Sequence, residues 1–128
     1  MNPSRKRILI ADCHEDILII LERLLEDAGF DTTTVWTAKE ALKLADSHAF
    51  DLILINEYLP DAECEDVLKA LQRKGEQIPC IVMQPSAPEI VDFTRFEALG
   101  AKGSLGFSAF LSCAGRCSPR ASMRIDGL

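Results

Sequence analysis

The chain has 128 residues, of which 48% are hydrophobic and 27% are charged, and its formal net charge at pH 7 is -6. This length predicts one compact domain, and the composition is typical of a soluble globular protein and excludes a disordered or fibrous one. The acidic charge, without clustered Lys and Arg, argues against nucleic-acid binding. Two small basic groups near the termini are interpreted as solvated tails: Arg5, Lys6 and Arg7, and Arg116, Arg120 and Arg124.

We expect neither a signal peptide nor a membrane span at the N-terminus. The first apolar run stops at Asp12, and the second is interrupted by Glu22 and Arg23. The five cysteines are scattered and odd in number. They indicate reduced thiols in a cytoplasmic protein and argue against a disulfide framework or a zinc site.

Apolar runs alternate with segments of helical periodicity along the chain. RILIA (7–11) is a short aliphatic run, which is typical of a strand buried on both faces. Apolar residues then recur at steps of three and four over 17–28 and stop at Gly29, which predicts an amphipathic helix. DTTTVW (31–36) is rich in β-branched residues and predicts a second strand.

The second half of the pattern repeats this alternation. The remaining predicted elements are a helix at 37–48 with Thr37 as its N-cap, a strand at 51–55, a helix that includes 67–71, a strand at 78–83, a helix at 90–99 and a weak strand at 101–105. Five strands alternating with helices predict a parallel sheet covered by helices on both faces. In such folds the functional site lies beyond the carboxyl ends of the strands: 12–13, 56–58, 84–86 and 106–108.

The C-terminal stretch departs from this pattern. After Leu111 the apolar periodicity fades into Ser, Gly, Cys, Arg and Pro. We therefore expect a domain over 1–111, a fifth helix that is short or disrupted near 108–114, and an irregular tail over 112–128.

Four segments carry a family resemblance: RILIADCHEDILIILERLLEDAGF, DLILINEYLPD, IPCIVM and ALGAKGSLG. In their order, spacing and flanking hydrophobicity, the chain resembles the receiver domain of bacterial two-component response regulators over about 5–111. The resemblance implies a flavodoxin-like, three-layer α/β sandwich whose five-stranded parallel sheet has the order 2-1-3-4-5. It also implies a cytoplasmic module of signal transduction or a phosphorelay.

The same resemblance places the family's chemical positions on this sequence. In the family, two acids follow strand one, an aspartate at the end of strand three takes the phosphoryl group, Thr or Ser ends strand four, and Lys-Pro follows strand five. The matching residues here are Asp12, Cys13, Asn56, Gln84, Phe107 and Ser108. Asp12 alone keeps the family's residue type. An amide is a poor nucleophile, and Mg²⁺ prefers hard oxygen ligands, so we expect no phosphorylation in the usual way and weak or absent Mg²⁺ binding.

Several residues of this remodelled pocket have two interpretations. Asp12 is either a residual metal ligand or a loop carboxylate that caps the helix beginning near Glu15. Cys13 is either a reactive thiol or, preferably, a small buried filler. Near the pocket, Glu57 and Asp61 are either substitute phosphoacceptors or, preferably, surface charges.

The other residues are assigned to the pocket because they lie at or just after the ends of predicted strands. Gln84 is expected to hydrogen-bond Asn56, while Tyr58 and Phe107 complete the pocket, with the ring of Phe107 closing over it. His14 is interpreted as a solvated loop residue.

The sequence thus predicts a non-enzymatic pseudo-receiver that acts through protein–protein contacts. The alternatives are a switchable receiver with an unusual acceptor residue and a small-ligand sensor at the remodelled pocket. The expected partners are a histidine kinase or output protein, or a second copy of the chain. The resemblance implies that these contacts use the face of helix four, strand five and helix five, with neither nucleic acid nor membrane involved.

Overall fold

A computed structural model describes residues 5–47, 50–75, 78–84 and 100–106. At Ser47, Gln84 and 102–106 it describes the backbone alone. Several predictions lie outside this part of the chain: the helix at 90–99, the short fifth helix, Phe107, and the tail over 112–128.

The described elements follow the predicted alternation of strands and helices. They are β1 (Arg7–Ala11), α1 (Glu15–Asp27), β2 (Asp31–Val35), α2 (Ala38–Ser47), β3 (Leu52–Asn56), α3 (Cys64–Arg73), β4 (Cys80–Gln84) and β5 (Ala101–Gly106). The strands form one sheet of order β2-β1-β3-β4-β5 in which every pairing is parallel. The flavodoxin-like order is therefore confirmed. β1 has the predicted bounds, and the bounds of the other four strands differ from the predicted ones by one or two residues.

The central strand β3 shows why the sheet is covered on both faces. Its side chains alternate between the faces, and Leu52 to Ile55 are each at most 2% exposed. Ile53 and Ile55 belong to an apolar cluster that contains residues of α2 and α3, whereas Leu52 and Leu54 belong to a second cluster with residues of α1. An uninterrupted aliphatic strand is thus buried between two helical layers.

The end of α1 confirms the predicted stop at Gly29. Gly29 has φ +99°, and its N–H donates to the carbonyl of Glu26 while the N–H of Phe30 donates to that of Leu25. These two bonds form a Schellman motif, in which glycine adopts a left-handed conformation that costs other residues energy. No described helix is long and apolar enough to cross a membrane.

Arg5 corrects the interpretation of the N-terminal basic group as a solvated tail. Its guanidinium donates to the carbonyls of Glu26, Gly29 and Phe30 at 3.1–3.2 Å and lies 3.3 Å from the carboxylate of Asp31. The last turn of α1 contains no basic residue. Arg5 therefore supplies the positive charge that favours a helix C-terminus, and it does so from outside the helix.

Candidate functional site

Strand register brings the first two site residues together. Ala11 of β1 pairs with Ile55 of β3, so the residues that follow, Asp12 and Asn56, meet at the carboxyl end of the sheet. Both are buried, with exposures of 0% and 1%. The Nδ2 of Asn56 donates to Oδ2 of Asp12 at 3.0 Å, and its Oδ1 accepts the backbone N–H of Tyr58 at 2.9 Å. Both polar atoms of the buried amide thus have partners, as such burial requires.

The other oxygen of Asp12 faces the loop before α1. Its Oδ1 accepts the backbone N–H of His14 at 2.8 Å and lies 2.8 Å from the His14 Nδ1. This is an Asx turn, in which a carboxylate binds the backbone two residues on. His14 is itself the N-cap of α1 and makes no side-chain cap bond. The Asp12 carboxylate thus accepts the N–H of the N-cap residue itself and not an N–H inside the first helical turn.

Cys13 differs from its preferred interpretation, whereas His14 agrees with its own. Cys13 is partly exposed rather than a buried filler, because it lies in the loop after β1 has left the core. Its Sγ lies 3.8 Å from the Nδ1 of His14. The His14 side chain is 60% exposed, as expected of a loop residue, but sequence reasoning missed its contact with Asp12. The signal was available in the two-residue Asp-to-His spacing, which permits an Asx turn.

Glu57 is not the surface charge that strand alternation predicted. It is 9% exposed, its N–H donates to the carbonyl of Met83, and its own carbonyl accepts the N–H of Cys64. Because both faces of β3 are covered, a residue that points away from the face of Asn56 is not thereby exposed. Tyr58, by contrast, leaves the core and is 55% exposed.

Asp61 is exposed, but it has a definite structural role. Its two oxygens accept the backbone N–H groups of Ala38 at 2.8 Å and Lys39 at 3.0 Å, at the start of α2. The bond from Ala38 is the main cause that lowers the pKa of this carboxyl below its ordinary value of 3.8. Thr37 also serves this helix end, because its Oγ1 accepts the N–H of Glu40 at 3.2 Å, which confirms the predicted N-cap.

The predicted bond between Gln84 and Asn56 involves a side chain outside the described part of the chain. The backbone of Gln84 belongs to β4 and pairs with Gly106 of β5, so both lie at the same end of the sheet as Asn56. The described partners of the Asn56 amide are Asp12 and Tyr58.

The site gathers chemically mixed donor atoms. One carboxylate oxygen of Asp12, the Cys13 sulfur and a His14 ring nitrogen all lie within 4.8 Å of one another. The carboxylate is buried at the end of β1, whereas the thiol and the imidazole reach the surface. Such a set offers oxygen, sulfur and nitrogen to one small volume.

Comparison with protein families gives a match over most of the chain. The family described as the response regulator receiver domain matches residues 8–106. The alkaline phosphatase synthesis transcriptional regulatory protein PhoP of Bacillus subtilis is 33% identical over 78 residues, which are 61% of this chain and 32% of that protein. The response regulator SaeR of Staphylococcus aureus is 29% identical over 82 residues, which are 64% of this chain and 36% of that protein. The chain spans about a third of the length of these curated relatives.

Solved structures share the fold. A CheY-like response regulator receiver domain protein from Methanospirillum hungatei has 25% identity and a TM-score of 0.74, with 92% of this chain and 87% of that chain covered. The chemotaxis protein CheY4 of Vibrio cholerae has 22% identity and a TM-score of 0.74, with 88% and 98% covered. These likenesses extend over nearly the whole of each compared domain.

Proposed function

Because the chain belongs to the response regulator receiver domain family, we propose that it is a signalling module that is not phosphorylated in the usual way and acts through protein–protein contacts. The observation that carries this proposal is the state of Asn56. This residue ends β3, where the family places its phosphorylated aspartate, and it presents a buried, doubly hydrogen-bonded amide.

The chemistry of that amide opposes phosphoryl transfer. Its nitrogen lone pair is delocalised into the carbonyl, so Nδ2 is a poor nucleophile. The nitrogen donates to Asp12 and the oxygen accepts from Tyr58, so neither atom is directed at an incoming phosphorus. An acyl phosphate at this position would first require hydrolysis of the amide to a carboxylate.

The donor set around Asn56 also fits Mg²⁺ poorly. This ion takes near-octahedral oxygen ligands and is usually held by one or two carboxylates. Here Asp12 supplies a carboxylate, and sulfur rather than oxygen stands at the position that matches the family's second acid, Cys13. We therefore propose weak or absent Mg²⁺ binding and no catalytic role.

The partner is proposed to be a histidine kinase, an output protein or a second copy of the chain. The curated relatives are a transcriptional regulatory protein and a response regulator, and this chain spans about a third of their length. The face expected to mediate contact is formed by helix four, β5 and helix five. The described part of that face is the backbone of β5, which forms the edge of the sheet beside β4.

Phosphorylation is tested by incubating the protein with acetyl phosphate and Mg²⁺ and measuring intact mass. We expect no phosphoryl adduct on the wild-type chain and no robust labelling of Asn56→Asp. A variant that restores the family's set, Asn56→Asp with Cys13→Asp, Gln84→Thr and Phe107→Lys, serves as the positive control and should be labelled.

A second measurement detects switching without a covalent product. Trp36 follows β2 and is 49% exposed, so its fluorescence reports changes at this end of the sheet. Beryllofluoride with Mg²⁺ should leave it unchanged in the wild type. A saturable change, an adduct on the wild type or rapid Mg²⁺-dependent labelling of Asn56→Asp would contradict the proposal and favour a switchable receiver.

A further inference from the structure

We infer that the loop Asp12-Cys13-His14 is a binding site for a borderline transition metal ion, Zn²⁺, held by one carboxylate oxygen, one thiolate and one imidazole nitrogen. These ligand atoms belong to three consecutive residues and lie within 4.8 Å of one another. Carboxylate, thiolate and imidazole are all ligands that zinc takes in proteins. The scattered cysteines argued against a zinc site built from several cysteines, whereas this set uses one cysteine with a carboxylate and an imidazole. The inference goes beyond the proposed function, because metal binding is measured on the unmodified chain, in which the Asn56 amide contacts Asp12.

Two of the ligand–ligand distances can be compared with those around a tetrahedral ion. With bonds of about 2.3 Å to sulfur and about 2.1 Å to nitrogen and oxygen, tetrahedral ligands stand about 3.6 Å apart for sulfur and nitrogen and about 3.4 Å apart for nitrogen and oxygen. The Cys13 Sγ and His14 Nδ1 lie 3.8 Å apart, and His14 Nδ1 lies 2.8 Å from Asp12 Oδ1. The distance between His14 Nδ1 and Asp12 Oδ1 must therefore increase by about 0.6 Å when the ion replaces the hydrogen bond between these two atoms. His14 is exposed and has room for this movement.

The surroundings hold the carboxylate in position. Asp12 is fully buried, its Oδ2 accepts the Asn56 amide, and its backbone N–H donates to the carbonyl of Val35 at 3.1 Å. Such outer contacts orient a metal ligand and leave Oδ1 directed toward the loop. Cys13 and His14 reach solvent, so an ion has a path to the site and a water molecule can complete four ligands.

Replacement of a family acid by Cys13 determines which ion the loop prefers. Thiolate and imidazole favour zinc over the hard, octahedral Mg²⁺. On binding, the Cys13 thiol releases its proton to solvent, and His14 binds through Nδ1 while its Nε2 carries the ring proton. No oxidation or reduction is involved.

The test is a Co²⁺ titration of the reduced, metal-free full chain, followed by absorption spectroscopy and by displacement with Zn²⁺. We expect one saturable site with a thiolate-to-cobalt charge-transfer band that Zn²⁺ removes and excess Mg²⁺ does not. Since loss of an outer contact alone costs about 10- to 100-fold in affinity, loss of a direct ligand should cost at least as much. Cys13→Ser should therefore abolish the band and weaken binding about 100-fold or more, and His14→Gln should weaken it at least about 10-fold.

Matched controls separate this site from other ligands on the chain. Cys113→Ser with Cys117→Ser, and His48→Gln, remove the same residue types elsewhere and should leave the titration unchanged. Because Cys13 and His14 are partly or largely exposed, their variants should keep the wild-type unfolding curve. Absence of the band in the wild type, its survival in Cys13→Ser, or its loss in the Cys113/Cys117 pair would each overturn the inference.

Discussion

The two ends of the sheet differ in the sign of the charge that lies at the helix termini. At the amino end, the Arg5 guanidinium donates to three carbonyls at the C-terminus of α1. At the carboxyl end, Asp12 accepts a backbone N–H just before α1, and Asp61 accepts two at the start of α2. Parallel strands joined by helices place every helix N-terminus at the carboxyl end, where the helix dipole favours anions.

The two ends of the sheet also differ in the partners of their charged side chains. At the amino end, the Asp51 carboxylate accepts the backbone N–H of Arg7 at 2.8 Å, and Arg5 pairs with Asp31 at a partly exposed position. At the carboxyl end, Asp12 joins a buried side chain, Asn56, to a surface imidazole, His14. The amino end therefore serves the fold, whereas the carboxyl end also connects the core to groups that an ion or a partner can reach.

The largest expected contrast between the ends is in thiol reactivity. Cys80 begins β4 and is 3% exposed, and burial raises its pKa to about 12, so about one molecule in ten thousand is a thiolate there at pH 8. Cys13, at the other end, is partly exposed. Alkylation with iodoacetamide in native buffer, followed by peptide mass spectrometry, should label Cys13 at least about 100-fold faster than Cys80. Buried Cys64 is the control and should also react slowly, and comparable rates for all three would remove the contrast.

The next effect is the loss of stability in Asn56→Asp. The new carboxylate would lie about 3 Å from that of Asp12 in a buried site, which should cost about 2 kcal/mol in the free energy of unfolding at pH 7. Like charge and burial raise the folded-state pKa of the introduced group above its unfolded value. Stability is therefore lost as pH rises through the raised pKa and is recovered toward acid, where the protonated group donates to Asp12 as the amide did.

Urea unfolding of the Asn56→Asp variant and the wild type between pH 4 and 8 measures this effect. The gap between their unfolding free energies should narrow as pH falls. A gap that stays constant or widens toward acid would show that the two side chains at positions 12 and 56 do not share one buried site.

A smaller effect is expected from Asp61→Ala, which removes the acceptor for the N–H groups of Ala38 and Lys39. Loss of such a cap typically costs about 1 kcal/mol. The pKa of Asp61 is lower in the folded state than in the unfolded state. Its contribution to the free energy of unfolding is therefore present above the unfolded-state pKa of 3.8 and is lost as pH falls through the folded-state pKa. The wild-type and variant unfolding curves should therefore differ at pH 7 and converge in acid. Asp61→Asn keeps an acceptor oxygen and should cost less; an unchanged stability of Asp61→Ala at pH 7 would argue against the cap.

The smallest effect is expected at the amino end, in Arg5→Lys. A single ammonium cannot reproduce the planar fork that reaches the carbonyls of Glu26, Gly29 and Phe30, so we expect a loss of about 0.5 kcal/mol. Arg5→Ala should cost more, and Lys6→Ala, at an exposed neighbour, should cost nothing measurable in thermal unfolding. Equal effects of Arg5→Ala and Lys6→Ala would mean that Arg5 is, after all, part of a solvated tail.

Sequence patterns predicted burial and helix ends correctly where the local pattern and the tertiary fold agree. The continuous aliphatic run of β3 predicted its burial, and Gly29 predicted the end of α1, because each depends on neighbours in the chain. The patterns were wrong at Glu57 and Cys13. Both faces of β3 are covered, so the face on which Glu57 lies did not decide its exposure, and the exposure of a loop side chain such as Cys13 depends on elements far away in sequence.

The sequence by itself determined the alternating elements and the acidic and aliphatic character of the chain, and its resemblance to the family predicts that Asn56 stands at the acceptor position. The tertiary structure decided which groups meet: strand register set Asn56 beside Asp12, 44 positions away, and the Asx turn brought His14 to the same carboxylate. The reason is physical. Hydrophobic periodicity is local and readable along the chain, whereas the partners of a buried polar group are set by parallel pairing between distant strands.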